Sequence, residues 1–356
     1  MNKGSMKVQN CIHCGKCTKN CSFLSKYKLH IGNTEKLREL AYHCFLCGKC
    51  SEVCPVGIDG RSIILEMRQK AVEERKGKVP EKGYGMLLLE KKDYLFRNYK
   101  HINSGKDGET ELAAADMSRE TLKKKKSVFF PGCNFPSFYP ETTKKITSLL
   151  AEHGIGVVYD CCGKPIAELG LKEQEERIAG GIERRLKETG VTEVIMACPN
   201  CYSFLKPRLN GILTVNIYEK LKELGIGKEI EGDISVFLPC PDRKEKEILA
   251  EIESFVTGDI HVITEVSCCG LGGCASGREP ELAKGMAESL KKAGYGEIYT
   301  YCASCAGNLA RNGYASRECG GNFCGKVTHV LAEILETQEK PDTSGSFLNR
   351  MKTKFY

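Results

Sequence analysis

Short apolar runs rich in β-branched and aromatic residues recur through the C-terminal two-thirds of the chain, separated by longer stretches whose apolar positions return every three or four residues. Runs at 128–131, 157–159 and 194–196 are matched further on by 236–238, 262–266 and 298–301. Between them, residues 141–153, 173–189, 243–255 and 279–293 carry helical periodicity. Strands alternating with helices of this length predict βαβ units and parallel sheets. The N-terminal part reads differently. Leu37, Leu40 and Ala41 fall at helical spacing within 35–43, and Ile63, Ile64, Met67, Ala71 and Val72 mark one face of a helix running to about Gly77. The fold expected is an α/β C-terminal half built from two copies of one domain, each with parallel-sheet βαβ units, preceded by an α-helical domain.

Side-by-side comparison of the two copies supports duplication. Ser127-Val128-Phe129-Phe130-Pro131-Gly132-Cys133 matches Ser235-Val236-Phe237-Leu238-Pro239-Cys240 with one residue deleted. Cys133 and Cys161 stand 28 positions apart, as do Cys240 and Cys268. Each double cysteine, Cys161-Cys162 and Cys268-Cys269, is followed by a glycine, Gly163 or Gly270. A CxxC pair then closes each copy, Cys198 with Cys201 and Cys302 with Cys305. The three cysteine groups of each copy follow β-like runs, and in open α/β sheets the carboxyl ends of the strands line the ligand-binding edge. Five thiols per copy should therefore meet there, with the helices after Cys201 and Cys305 turning their positive ends toward a negatively charged cluster. Gly163 and Gly270 should allow close approach to the sulfurs or a positive φ.

Eight further cysteines form two strings near the N-terminus. Cys11, Cys14, Cys17 and Cys21 spell CxxCxxCxxxC, and Cys44, Cys47, Cys50 and Cys54 repeat it, with Pro55 after the second string and Ser22 after the first. This is the two-cluster ferredoxin spacing, in which three close cysteines hold one 4Fe-4S cubane and the fourth reaches the other. Cys11, Cys14, Cys17 and Cys54 are thus expected to hold one cubane, and Cys44, Cys47, Cys50 and Cys21 the other. Zinc is the rival ligand. It is usually held by two separated CxxC pairs or with histidine, and it needs four ligands where each later copy offers five. Gly270-Leu271-Gly272-Gly273-Cys274-Ala275 formally matches a dinucleotide fingerprint, but two cysteines occupy the strand-to-loop position and the first copy has no such glycines.

Bulk composition narrows the classes. The chain has 356 residues, long enough for two or three domains, and 21 cysteines. Without an export-signal pattern, thiolates rather than cystines are the expected state. The formal net charge of +7 counts every cysteine as neutral. It overstates the charge of a metal-loaded protein and is not read as a nucleic-acid signal. The densest basic run, Lys123 to Lys126, lacks interleaved aromatics and reads as a solvated linker. No apolar run reaches membrane-spanning length, so no direct membrane span is expected and the cytoplasm is the expected compartment.

These residues resemble the cysteine-rich CCG-domain family of iron–sulfur oxidoreductases, in the heterodisulfide-reductase-like branch with a fused N-terminal ferredoxin. The similarity covers residues 11 to about 335. It implies that Cys133, Cys161, Cys162, Cys198 and Cys201 hold one non-cubane 4Fe-4S cluster, and Cys240, Cys268, Cys269, Cys302 and Cys305 another. It further implies that two ferredoxin-type 4Fe-4S clusters pass electrons to this pair, which reduces a disulfide. The partners implied are a disulfide or thiol substrate and a redox protein, a flavoprotein or ferredoxin-like donor. Proteins of the same layout also serve as electron-relay subunits of flavin-dependent glycolate, lactate and glycerol-3-phosphate dehydrogenases, the alternative reading. A non-redox cluster scaffold is a third class, disfavoured by duplicated five-cysteine sets.

The expected domains are 1–80 for the ferredoxin, 81–126 for a linker, 127–228 and 229–340 for the two copies, and 341–356 for a flexible tail. Within the linker, Leu87 to Leu89 and Tyr94 to Phe96 read as short packed pieces. Cys274 reads as a small buried residue that lines the cleft only in a minority reading, and Cys319 and Cys324 as free thiols. His13 and His43 read as neighbours of ligands. His329 falls on a helical pattern with Val330, Leu331, Ile334 and Leu335.

Overall fold

The computed structural model describes residues 8–103, 126–314 and 325–356. Cys319 and Cys324 lie outside them. In the N-terminal region both cysteine strings take the same backbone path. His13 and Leu46 adopt positive φ (53° and 50°), as do Gly15 and Gly48 (71° and 80°), and single helical turns follow at Lys16–Lys19 and Lys49–Glu52. Left-handed residues on either side of the second cysteine curl each string so that its sulfurs face inward. The longer helix Gly60–Glu74 starts where the Asp59 carboxylate accepts from the Ser62 amide at 3.1 Å, and it buries Ile64, Met67, Arg68 and Val72.

Each later copy folds as an α/β layer around a four-stranded parallel sheet. In the first, β1 (Ser127–Phe130), β2 (Gly156–Val157), β3 (Glu193–Met196) and β4 (Leu213–Asn216) lie in the order β2-β1-β3-β4. In the second, β5 (Ile234–Val236), β6 (Ile260–Val262), β7 (Glu297–Thr300) and β8 (Lys326–His329) lie in the order β6-β5-β7-β8. Every pairing is parallel, with Val128 opposite Gly156 and Val194, and Val236 opposite Val262 and Tyr299. The central strands of the first sheet, β1 and β3, are buried on both faces because helices such as Pro140–Glu152 and Lys172–Glu188 cover it, while β5 and β7 of the second alternate buried and partly exposed positions.

The fourth strand of each sheet is an addition to the sequence expectation. β4 begins at an exposed Leu213 and β8 at an exposed Lys326, so neither carries a strong apolar run. Both are recruited by pairing with the preceding strand. His329 closes β8 rather than lying inside a helix, and its Nδ1 accepts from the Leu331 amide at 3.2 Å to start the helix Val330–Ile334. The C-terminal segment, expected to be a flexible tail, contains a helix, Ser346–Lys352, tied to the first copy. Ser137 Oγ donates to the Ser346 carbonyl at 2.5 Å and Asn349 Nδ2 to the Ser137 carbonyl at 3.3 Å. Those are contacts between polar side chains and distant backbone, which leave no hydrophobic periodicity to read. The segment expected to link the domains likewise holds a packed helix, Gly85–Lys91, with Tyr94 and Phe96 buried beyond it.

Three regions meet at Arg68, whose side chain is fully buried. Its guanidinium donates to the Ala41 and Cys44 carbonyls of the N-terminal region, to the Glu168 carbonyl of the first copy and to the Gly273 carbonyl of the second, at 2.6–3.0 Å. Buried Glu279 adds a second clasp, accepting from Lys26, Tyr27 and His43 at 2.6–2.7 Å. His43 is therefore a docking contact as well as a neighbour of Cys44.

Candidate iron–sulfur sites and the cleft between them

Cys11, Cys14, Cys17 and Cys54 line one small pocket with Ile12, His30 and Val56. Cys54 of this pocket comes from the end of the second string. Cys14 is exposed, which leaves this site at the surface. His13 and His30 join at 3.0 Å beside it, and His30 Nδ1 lies 3.8 Å from Cys11 Sγ. Cys21, Cys44, Cys47 and Cys50 form a second, deeper group. Burial pushes the Cys21 thiol up to about 12 and the Cys44 thiol to about 11, with neighbouring thiols of the group adding to both.

The thiols of the duplicated copies form a continuous row. Neighbouring thiols perturb one another from Cys133 through Cys161, Cys162, Cys201 and Cys198, then across to Cys302, Cys305 and Cys269. Cys198 and Cys302 thus join the two sets. Cys268 turns away from this row and contacts Cys47 of the N-terminal region. Burial pushes the Cys240 thiol up, and the Cys269 thiol adds to that shift. Hydrogen bonds from Cys161 and Cys201 pull Cys162 down to about 5, and contacts with Cys198 and Cys305 draw Cys302 well below the usual thiol range. Thiolates are soft ligands for iron.

The backbone leaves room for the sulfurs at defined glycines. A Cβ on Gly132, where φ is 74°, would sit 2.9 Å from Cys201 Sγ, and one on Gly60 would sit 2.7 Å from Cys50 Sγ. Thiols gathered in fours near the N-terminus and along one row in the two copies, with these gaps kept open beside them, fit iron–sulfur clusters better than any smaller cofactor. Gly163 and Gly270 do take positive φ, 88° and 82°, but what they avoid is Ile178 and Ala283 rather than a cysteine sulfur. Gly272 and Gly273 have another purpose. Side chains there would run into the Phe45 and Cys44 carbonyls, so the formal dinucleotide fingerprint is the surface on which the N-terminal region docks.

The helices that carry the CxxC pairs begin one turn earlier than expected. Cys198 and Cys302 are the N-cap residues of Pro199–Leu205 and Ala303–Arg311, so Cys201 and Cys305 lie within the first turn. Both sets open onto one cleft of about 440 Å³, lined by five cysteines of the first copy and by Cys240, Cys269 and Cys305 of the second. Cys274 lines it too, and desolvation holds its thiol up at about 12.

Several cleft residues carried no motif. Asn200 of the first copy donates to Cys302 Sγ of the second at 3.5 Å, while Ser304 of the second meets Asn134 of the first at 2.7 Å. Lys91, Lys164, Arg311 and Arg350 also reach the cleft wall. The only sequence signal for any of these was position, since Asn200 and Ser304 each occupy the same place inside a CxxC pair.

Comparison with known proteins gives a consistent picture. A cysteine-rich domain family model matches residues 127–206 and 234–310, and a 4Fe-4S dicluster domain model matches residues 7–58. The chain is 25% identical over 342 positions to an uncharacterised iron–sulfur protein of Methanococcus maripaludis, with 85% of this chain and 67% of that protein covered. A counterpart from Methanocaldococcus jannaschii is 27% identical over 289 positions, and the chain spans 56% of its length. One component of the dihydromethanophenazine:CoB–CoM heterodisulfide reductase of Methanosarcina mazei is 24% identical, with 93% of both chains covered. Among solved structures, glutamate racemase RacE1 of Bacillus anthracis overlaps 59% of the chain at 11% identity and a TM-score of 0.30, too slight a likeness to bear on function.

Proposed function

We propose that this chain, which carries two copies of a cysteine-rich domain behind a 4Fe-4S dicluster domain and has distant homology to a heterodisulfide reductase component, reduces a disulfide in the shared cleft. The coarser role, iron–sulfur electron transfer, follows from the domains it carries. Among the described residues, no helix is long and apolar enough to cross a membrane.

The reading rests above all on the cleft onto which both five-cysteine sets open. In this reading Cys11, Cys14, Cys17 and Cys54 hold the entry cubane, where exposed Cys14 faces a donor protein. Cys21, Cys44, Cys47 and Cys50 hold the inner one. The ten cysteines of the two copies hold the pair of non-cubane clusters. Bound at these four places, the clusters supply the one-electron redox states that a two-electron disulfide reduction draws on. The Cys47–Cys268 contact joins the N-terminal region to the second copy, and the route runs from the first string to the second copy and then, through Cys302 and Cys198, to the first.

The test uses holoprotein purified without oxygen, reduced, freed of excess reductant and offered a panel of disulfides. Thiol release at two per disulfide, with reoxidation of the clusters followed by EPR, is the expected result. Clusters that reoxidise only with a flavoprotein or a carrier, and release no thiol with any disulfide, would replace this reading by electron relay.

A further inference from the structure

The surface site of Cys11, Cys14, Cys17 and Cys54 sits in a face that is one-sided in both polarity and charge. Two large apolar side chains stand open to solvent beside exposed Cys14, Ile12 at 61% exposure and Val56 at 40%. Ile12 comes from the first cysteine string and Val56 from just past the second. Both line the same pocket as the four sulfurs, and among the described residues no carboxylate lines it. Apolar side chains left open together around a redox site mark a contact surface.

The charge around that surface has one sign. Residues 8–34 contain four lysines and no aspartate or glutamate, and the first acidic side chain of the chain is Glu35. Lys26 is used internally, in its pair with Glu279 at 2.6 Å. Lys16, Lys19 and Lys28 are exposed and, among the described residues, pair with no carboxylate. Lys16 and Lys19 lie on the single helical turn that follows Cys14 and Gly15. Lys28 is drawn toward that turn because Thr18 Oγ1 donates to the Leu29 carbonyl at 2.6 Å, and His30 just beyond lines the pocket. The second string balances its one lysine, since Lys49 pairs with Glu52 at 2.8 Å. The first string, whose Cys14 is exposed, is thus the one that carries uncompensated charge.

We propose that Ile12, Val56, Lys16, Lys19 and Lys28 form the docking face for a small electron-carrier protein whose own redox centre is ringed by carboxylates. The proposal rests on the reading of this site as the place where electrons arrive. One electron leaves the reduced carrier, which is oxidised, and enters this protein, which is reduced by one; no bond forms or breaks. Opposite charges steer the approach, and the apolar pair excludes water from the contact.

The test mixes anaerobic holoprotein with a reduced acidic ferredoxin, either native or with its carboxylates converted to amides, in a stopped-flow instrument with no disulfide present. Native ferredoxin should react on the order of tenfold to a hundredfold faster at about 0.01 M salt than at about 1 M, as the screening length falls from about 30 Å to about 3 Å. The amidated carrier should be slow at both. The double variant Lys16→Gln, Lys19→Gln should keep its iron and lose most of that salt dependence, while reduced methyl viologen, a small cation, should reduce variant and wild type at the same rate. Independently of electron transfer, carbodiimide should link Lys16, Lys19 or Lys28 of wild type to carrier carboxylates. Equal rates for native and amidated carriers, a salt-independent native rate, or cross-links confined to other lysines would overturn the proposal. So would wild type that accepts electrons from methyl viologen but not from ferredoxin, or that pellets with phosphatidylglycerol vesicles through these lysines, which would assign the face to a lipid surface. The wild-type readouts decide the matter whether or not the variant keeps its iron. Since no disulfide is present, a protein that releases no thiol in the separate assay would refute disulfide reduction and leave this docking face standing.

Discussion

Arg68→Met removes a buried guanidinium while keeping much of its volume. In the native protein that group donates to four carbonyl oxygens, of Ala41, Cys44, Glu168 and Gly273, and lies 4.9 Å from the centre of the Tyr42 ring. Methionine leaves the Cys44, Glu168 and Gly273 oxygens without a donor, while Ala41 keeps the Cys44 amide at 3.3 Å. An orphaned buried acceptor costs about 1–3 kcal/mol. Methionine also avoids the desolvation that a buried cation carries, so the low end applies, and three acceptors give about 3 kcal/mol. At about 2 °C per kcal/mol for a chain of this size, the melting temperature should fall by roughly 6 °C. The loss should concentrate where three regions meet, so reduction of the two copies through the Cys47–Cys268 contact should slow as well. Circular dichroism melts of the anaerobic holoprotein, paired with stopped-flow reduction, measure both. A melting temperature within a degree of wild type, with unchanged reduction kinetics, would refute the idea that this arginine clamps the regions together.

Other perturbations have equally definite outcomes. Gly132→Ala sets a methyl group 2.9 Å from Cys201 Sγ at a positive φ, and iron analysis should show roughly four atoms lost from a total of about 16. His329 is buried between Phe135 and Tyr139 with its pKa pushed down by desolvation to about 3, so the unfolded chain binds a proton below about 6.5 that the folded chain refuses. Stability should therefore be full above pH 6.5 and decline as pH falls from there toward 3, by up to about 1.4 kcal/mol per unit. Denaturant melts at pH 7 and pH 5 should show that decline in wild type and a smaller one in His329→Gln. Gly273→Val should weaken docking of the N-terminal region, since its side chain would meet the Cys44 carbonyl; limited proteolysis of the variant should release that region, and an unaltered digestion pattern would count against the docking role.

Much of the architecture was legible in the chain because its cause is local. Strand-length apolar runs such as 128–131 and 194–196 can bury themselves only in a sheet covered on both faces, and the structure builds one around them. The crossed assignment of Cys54 to the first string follows from spacing, and these four sulfurs do share a pocket. Where local pattern was weak, pairing partners decided. β4 and β8 start at exposed residues and exist because β3 and β7 offer them free edges. The helix Ser346–Lys352 is held by Ser137, more than two hundred positions away, a contact no window of sequence contains.

By itself the sequence determined which atoms are available for chemistry: the cysteine strings, their duplication and the strand ends that carry them. Spacing along a chain is enough for that, since neighbouring ligands are tethered to one another. Only the tertiary structure decided how those groups are wired and charged. It brought Cys268 to Cys47, Cys198 to Cys302, and Asn200 of one copy to Cys302 of the other. The reason is physical: an ammonium or a thiol acts on whatever lies within a few ångströms, and packing between domains, not position in the chain, sets that distance.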